Sequence, residues 1–500
     1  MMAGVSKHSV ESPHEKSTNH LVAQDRVKNV LLLTWEYPPR IVGGIATHVY
    51  HLSKCLAKDG ISVHVITCAF PNAPMEEIVE GVYVHRVDEN RLLQPNFILW
   101  IYHLNSQMIE RANQLSQTEQ FDLIHAHDWV VGRAAVELKN KMHIPLVSTI
   151  HATEIGRGGN LEDDYRKKIL EIERLLAKQS QMIICCSNYM LDHIQNRLGA
   201  HSDNIRVIPN GVELSRFNNQ NNSVGEHEQK TVLYVGRIVR EKGVFTLLEA
   251  LAELRSRGKN VRLVFTGEGP LKEDLAREVL RRRLNDHVVF TGFVDEEKLV
   301  GLYASSDCFV LPSLSEPFGM VALEAMASRI PVVASDVGGL AEIVENRVTG
   351  IKVPPGDPHA LADSIQQVID DQQLAERMKQ NAFRMVQEGY RWDMVAQMTI
   401  EAYQLAFSKP ATQLTSGNEE FLSGSALLQL LLAAGASSAE KGLAAGEIAS
   451  QLNSSDIPVK LILGREASQG YVSTEIDDGS SNVLYHLTPI GIIKACSEMS

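Results

Sequence analysis

The stretch Cys308–Ser335, CFVLPSLSEPFGMVALEAMASRIPVVAS, decides the reading of the fold. It opens on one apolar run, CFVLPS, and closes on another, PVVAS, with SEPFGMVALEAMA (Ser315–Ala327) between them. Pro317 and Gly319 mark a turn after the first run and put the start of a helix behind them. Two runs that are apolar on both faces, joined by a helix, indicate parallel strands in a sheet covered on both sides. The same segment carries two glutamates, Glu316 and Glu324, with seven residues between them. Glu316 then belongs to a turn and Glu324 to the helix behind it.

Outward from this unit the alternation repeats. TVLYVGR, VRLVFTGEG and VVFTGFV precede it and GIKVPP follows. Further upstream NVLLLTWEY, SVHVITCAF, FDLIHAHD, PLVSTIH, QMIICCS and IRVIPNG form an earlier set of the same kind. The fold class is therefore α/β, with two doubly wound, Rossmann-like domains facing a cleft. Ligands are expected just beyond the carboxyl ends of the strands.

Composition sets the boundaries. Residues 1–27 read as a disordered tail, 28–215 as the first domain and 216–230 (RFNNQNNSVGEHEQK) as a linker rich in Asn and charge. Residues 231–388 form the second domain, 389–408 a helix that ends it, and 409–420 a second linker. Residues 421–500 read as a small α+β, winged-helix-like domain. Its expected parts are helices over 426–435, 442–453 and 457–466, a hairpin over 470–489 turning at Asp-Gly, and a closing helix over 490–499.

Five hundred residues, 44% of them hydrophobic, suffice for two or three ordinary cores. A formal charge of −13 disfavours a chain-wide binder of nucleic acid or anionic membrane. The six cysteines are scattered without CxxC spacing, which suits buried thiols in a reducing compartment. The N-terminal stretch has no apolar h-region and no run is long enough to span a bilayer, so a cytoplasmic protein with no integral membrane segment is expected. Residues 421–500 hold four Lys/Arg against eight Asp/Glu. A DNA-binding winged helix needs a basic face, so this domain is expected to serve a protein partner, self-association or regulation rather than nucleic acid.

Several strand ends carry residues suited to chemistry. In VGRIVREKGV, Arg237 follows a strand and Lys242 precedes Gly243, and two cations near free amides suit a diphosphate. Ordinary exposed loop cations would look the same. The amides of Gly319 and Met320 open a helix and suit a phosphate. GFV, Gly292–Val294, offers either an apolar lip for a nucleobase or a plain strand end. In PPRIVGGIATH, Gly43 and Gly44 permit close backbone approach to a ligand. HAHDW ends a strand at His127 and Asp128, and STIHATE ends another at His151.

In that order, these residues resemble the retaining, nucleotide-sugar-dependent glycosyltransferases of the GT-B fold, in the glycogen-synthase-like branch of family four (group 1). The resemblance covers Asn29 to Phe407. It rests on E-x7-E at Glu316 and Glu324, on GR…EKG at Arg237 and Lys242, on the GG loop and on VIPNGV. The resemblance implies that Glu316 and His151 are catalytic, Glu316 facing the transferred sugar and His151 contacting it from the other domain. It implies that Glu324 holds the ribose hydroxyls and that Arg237 and Lys242 neutralise the departing diphosphate. Gly43, Gly44, Phe318, Gly319, Met320 and Val321 complete the implied donor-binding set. Asp128 either touches donor sugar or acceptor, or caps a helix. WEYPPRIVGG, HAHDW and TIHATE match the branch that uses glucosyl donors, UDP- or ADP-linked.

The expected activity is retaining hexosyl transfer from a nucleotide sugar to a hydroxyl acceptor, an α-glucan or a small sugar. No Asp-x-Asp loop ends a strand, so metal-independent transfer without a further cofactor is expected. The alternative is a regulator that senses a nucleotide sugar and acts through the winged-helix-like domain.

Overall fold

The computed structural model describes residues 27–87, 97–157, 164–217 and 228–409. Beyond them it describes 431, 443–451, 463, 467, 472–476 and 483–488. The first sheet comprises β1 (Asn29–Leu33), β2 (Ser62–Cys68), β3 (Glu76–Val79), β4 (Val82–Val87), β5 (Leu123–His127), β6 (Leu146–Ile150), β7 (Met182–Cys185) and β8 (Ile205–Val207). Their spatial order is β3-β4-β2-β1-β5-β6-β7-β8. Every neighbouring pair is parallel except β3 and β4, an antiparallel hairpin at the edge. Val30–Leu33 of β1 are fully buried, as expected of a central strand with helices on both faces.

The second sheet runs β11-β10-β9-β12-β13-β14, all parallel. Its strands are β9 (Lys230–Val235), β10 (Val261–Thr266), β11 (Val288–Gly292), β12 (Cys308–Leu311), β13 (Val332–Ser335) and β14 (Ile351–Val353). The quoted stretch is the β12–helix–β13 unit of this sheet, and its helix spans Met320–Ala327. The doubly wound α/β reading therefore holds for both domains. In each sheet the winding reverses direction at one place, between β1 and β5 and between β9 and β12. Loops diverge there and leave a crevice at the carboxyl edge.

Two expectations need correction. The helix Trp392–Phe407 does not finish the second domain. It buries Trp392, Val395, Ala396, Ala402, Tyr403 and Ala406 in the core that contains β1 and β2 of the first. The small residues on that face let it lie close to the helix Gly44–Lys58, and Tyr403 Oη reaches His125 Nδ1 at 2.7 Å. Residues assigned to the linker are also part of the folded body. Arg216 and Phe217 lie in the short turn Leu214–Phe217, with Phe217 buried, and Lys230 begins β9.

In the C-terminal region the described residues form β15 (Leu443–Ala444), β16 (Val472–Ile476) and β17 (Val483–Leu487), in the order β15-β17-β16. The expected hairpin is present as the antiparallel β16–β17 pair. The expected helix over 442–453 is preceded by β15 and spans Ala445–Gln451. The Asp-Gly turn lies outside the described residues, as do the N-terminal tail and nearly all of the other three expected helices. Among the described residues no helix is long and apolar enough to cross a membrane.

Candidate active site

The second domain's site grows from the winding reversal between β9 and β12. The chain leaves β9, makes the turn Arg240–Lys242, and must pass the end of β12. Gly243 makes that passage possible. It adopts φ +66°, and a Cβ there would stand 1.9 Å from the Pro312 carbonyl oxygen. The result is that Lys242 Nζ meets Glu316 Oε2 at 2.5 Å. Ser313 Oγ donates to the same oxygen at 3.3 Å. Glu316 is buried and Lys242 half-buried, and the carboxylate and ammonium form one ion pair at the sheet's carboxyl edge.

Behind Glu316 the backbone turns through Gly319 at φ +108° into the helix Met320–Ala327. A Cβ on Gly319 would lie 2.5 Å from Leu340 Cδ2, so the helix start is packed too tightly for a side chain. Glu324, eight positions on from Glu316, accepts a hydrogen bond from Tyr303 Oη at 3.0 Å and lies 3.8 Å from Arg216 Nη1. Burial pushes its carboxyl above the usual carboxylate range, against the pull of Arg216 and Tyr303. Arg216 is shared, because Glu296 holds its Nε at 2.5 Å. The Arg237 side chain is 61% exposed and lies 3.8 Å from Glu241, so it does not take part in the Lys242–Glu316 pair. Phe293 of the GFV lip is exposed. Phe318 is buried in the core, so its side chain serves packing.

The first domain contributes from the ends of β1, β5 and β6. Glu36, which follows β1, accepts the backbone N–H groups of Val42 at 2.9 Å and Gly43 at 2.7 Å through one carboxylate oxygen. Burial raises its carboxyl while these two amides oppose the rise. The Gly43 amide, expected among the donor-binding groups, is thus already engaged. Gly44 begins the helix Gly44–Lys58, and a Cβ on it would be 3.1 Å from Met320 Sδ of the other domain. Asp128 follows β5 with φ +60°, and its Oδ1 accepts the His151 backbone N–H at 2.7 Å. The capping alternative for Asp128 is not realised: its side chain accepts no cap hydrogen bond from the turn Trp129–Val131. Its carboxylate instead fixes the backbone at His151.

His151 Nε2 lies 3.1 Å from His127 Nδ1, and its ring stands edge-on to His48 with centroids 4.6 Å apart. Burial holds the His151 imidazole down at about 3 and those of His48 and His127 well below the ordinary value, so all three are neutral at pH 7. His151 can therefore exchange hydrogen bonds with hydroxyl groups but brings no charge.

The two halves of the site touch. Ser187 Oγ donates to the Pro317 carbonyl at 2.7 Å and Ser315 Oγ to the Gly156 carbonyl at 2.9 Å, one on each side of Glu316. Cys186 Sγ lies 3.6 Å from the Pro317 oxygen and 4.0 Å from the His151 oxygen. The structure thus brings Glu316, Lys242, Gly44, Met320, Asp128 and His151 to one interdomain crevice. Sequence reasoning missed Glu36, Arg216, Tyr303 and Ser313. The pairing of Arg216 with Glu324 carries no sequence signal, because composition assigns Arg216 to a linker.

Comparison with known proteins agrees with this geometry. The family described as Glycosyl transferases group 1 matches residues 215–385, and that described as Glycosyltransferase Family 4 matches residues 42–216. The chain is 36% identical to an uncharacterized glycosyltransferase of Methanocaldococcus jannaschii, across 75% of this chain and 98% of that protein. It is 35% identical to a glycogen synthase of Mycobacterium tuberculosis, across 75% of this chain and 94% of that one. Among solved structures, sucrose-phosphate synthase from Thermosynechococcus elongatus superposes with a TM-score of 0.66 at 26% identity, covering 76% of this chain and 99% of that one.

Proposed function

The chain belongs to the group 1, family 4 glycosyltransferases of the GT-B fold, and from that premise we propose that it moves a glucosyl group from a nucleotide-diphosphate sugar to a hydroxyl of an α-glucan or small sugar. In this reading transfer retains the anomeric configuration and uses no metal ion. The observation that carries it is the pairing of half-buried Lys242 with buried Glu316 at the winding reversal, three residues before the glycine that opens the helix Met320–Ala327. The glycogen synthase relative supports the choice of glucosyl donor and glucan acceptor.

The bond between the anomeric carbon and the phosphate oxygen breaks with its electron pair going to the diphosphate. Lys242, Arg237 and the helix amides meet that charge, which preorganised donors in a water-poor crevice do effectively. Glu316 faces the positive charge growing on the sugar. The acceptor oxygen bonds to the anomeric carbon and its proton leaves with the departing phosphate. Glu324 with Tyr303 takes the ribose hydroxyls, and neutral His151 takes a sugar hydroxyl.

The test is nucleotide release from a panel of UDP-, ADP- and GDP-sugars with maltooligosaccharide present. One donor should be turned over, and Lys242→Ala should slow that turnover by about a hundredfold. Tight donor binding with no release across varied acceptors would replace the transferase with a sensor.

A further inference from the structure

We propose that His48, His127 and His151 together form a binding site for a divalent transition-metal ion of the Zn2+ type, and that filling it inhibits the enzyme. One ring nitrogen from each of the three lies within 4.8 Å of those of the other two. They come from three separate elements: the helix Gly44–Lys58, the end of β5 and the residue after β6. No carboxylate joins them in the group, so the donor set is all imidazole, which suits zinc, copper, nickel or cobalt rather than magnesium or calcium.

The lone pairs are prepared for a ligand. His48 Nδ1 lies 2.6 Å from Asn210 Oδ1. An amide oxygen only accepts, so Nδ1 carries the proton and Nε2 keeps its lone pair. An outer acceptor that fixes the tautomer in this way is a regular feature of metal-ligating histidines. His48 Nε2 and His127 Nε2 are both buried without a hydrogen-bond partner. An orphaned buried imidazole nitrogen is costly unless a ligand satisfies it. The fourth buried histidine of this cluster, His125, is spoken for. Its Nδ1 meets Tyr403 Oη and its Nε2 meets Thr149 Oγ1, each at 2.7 Å. His127 Nδ1 and His151 Nε2 lie 3.1 Å apart and share one hydrogen bond, so an ion that takes both rings replaces that contact. Zinc–nitrogen bonds of about 2.0–2.1 Å put ligands in a tetrahedron about 3.4 Å apart, so ring rotations must close the group by up to about 1.4 Å. His151 is the least buried of the three and is the way in.

The inhibitory half rests on the proposed function, in which His151 contacts the donor sugar and an ion on its ring would withdraw it. The binding half does not. The test therefore has two readouts on the full chain, freed of metal with a chelator and carrying no polyhistidine tag. Titration with Co2+ should give the visible d–d bands of nitrogen-ligated cobalt at one ion per chain, confirmed by equilibrium dialysis with Zn2+. His48→Gln should abolish the bands, and His151→Ala, at the more exposed ligand, should do so if the first variant fails to fold. Absence of the bands in wild type, or their persistence in both variants, would overturn the site. In the second readout Zn2+ should suppress nucleotide release, a chelator should restore it, and His48→Gln should need at least tenfold more Zn2+. Stoichiometric binding with unimpeded release would leave the site standing and overturn the inhibition. Absence of release even from metal-free wild type would instead count against the transferase.

Discussion

Glu36 shows how much one carboxylate can organise. It sits in WEYPPR, where no periodicity or spacing distinguishes it, yet it holds the amides of Val42 and Gly43 and so sets the path of the loop into Gly44. Its role follows from a turn that folds the chain back over six or seven positions, a geometry invisible to pattern. Glu36→Ala would leave two amides without their acceptor, at a cost of about 1–3 kcal/mol in thermal or urea unfolding. Glu36→Gln keeps an accepting oxygen and should retain most of that stability. Equal losses in the two variants would show that charge rather than acceptance matters there. Glu316 and Lys242, by contrast, were legible because each stands beside a glycine or proline that marks a strand end. Their ion pair was not legible, because the resemblance assigns Glu316 to the sugar and Lys242 to the diphosphate.

The elements divide by how they meet water. All six strands of the second sheet were legible because each belongs to a short apolar, β-branched run, and the same holds for six of the eight in the first. The hairpin β3–β4 was missed. β3 is an edge strand carrying Glu76 and Glu77, half open to solvent, so its pattern resembles a charged loop. It is held by a side-chain stack instead: His64 Nδ1 lies 3.1 Å from His85 Nε2, and His85 pairs with Glu76, which Arg111 also holds at 2.7 Å. Burial, aided by the neighbouring His85, pulls the His64 imidazole down to about 4. The unfolded chain therefore takes up a proton here from about pH 6.5 downward while the folded chain does not until about pH 4. Stability contributed by neutral His64 is present above that window and lost as pH falls through it. In thermal unfolding followed from pH 7 to 4, His64→Gln should flatten the loss by about 1.4 kcal/mol per pH unit. Parallel curves for the two proteins would contradict the assignment.

At the scale of the molecule the domains are joined in two places that lie side by side. Val212 N donates to Tyr390 O at 2.8 Å, and a Cβ on Gly211 would come within 2.7 Å of the Trp392 ring. The two chain crossings between the domains thus lie at one locus, the geometry of a hinge. Across the crevice, Glu342 of the second domain accepts from Asn188 N, Asn188 Nδ2 and Tyr189 N at 2.8–2.9 Å, linking the two domains. After solvent screening that contact amounts to about 1 kcal/mol. Glu342→Ala should shift the open population about fivefold, visible as a larger radius of gyration in solution scattering; an unchanged radius would show that other contacts hold the closure. The sequence made two domains plain, but it did not reveal that Trp392–Phe407 belongs to the first, because chain order and core membership separate there. That helix has a further consequence. Cleavage within 218–227 would yield a C-terminal fragment bearing a helix whose buried face packs chiefly on β1, β2 and the helix Gly44–Lys58 of the N-terminal fragment. Neither piece would be self-sufficient, and mixing the two should regenerate one compact heterodimer by complementation, detectable as a single species on size exclusion.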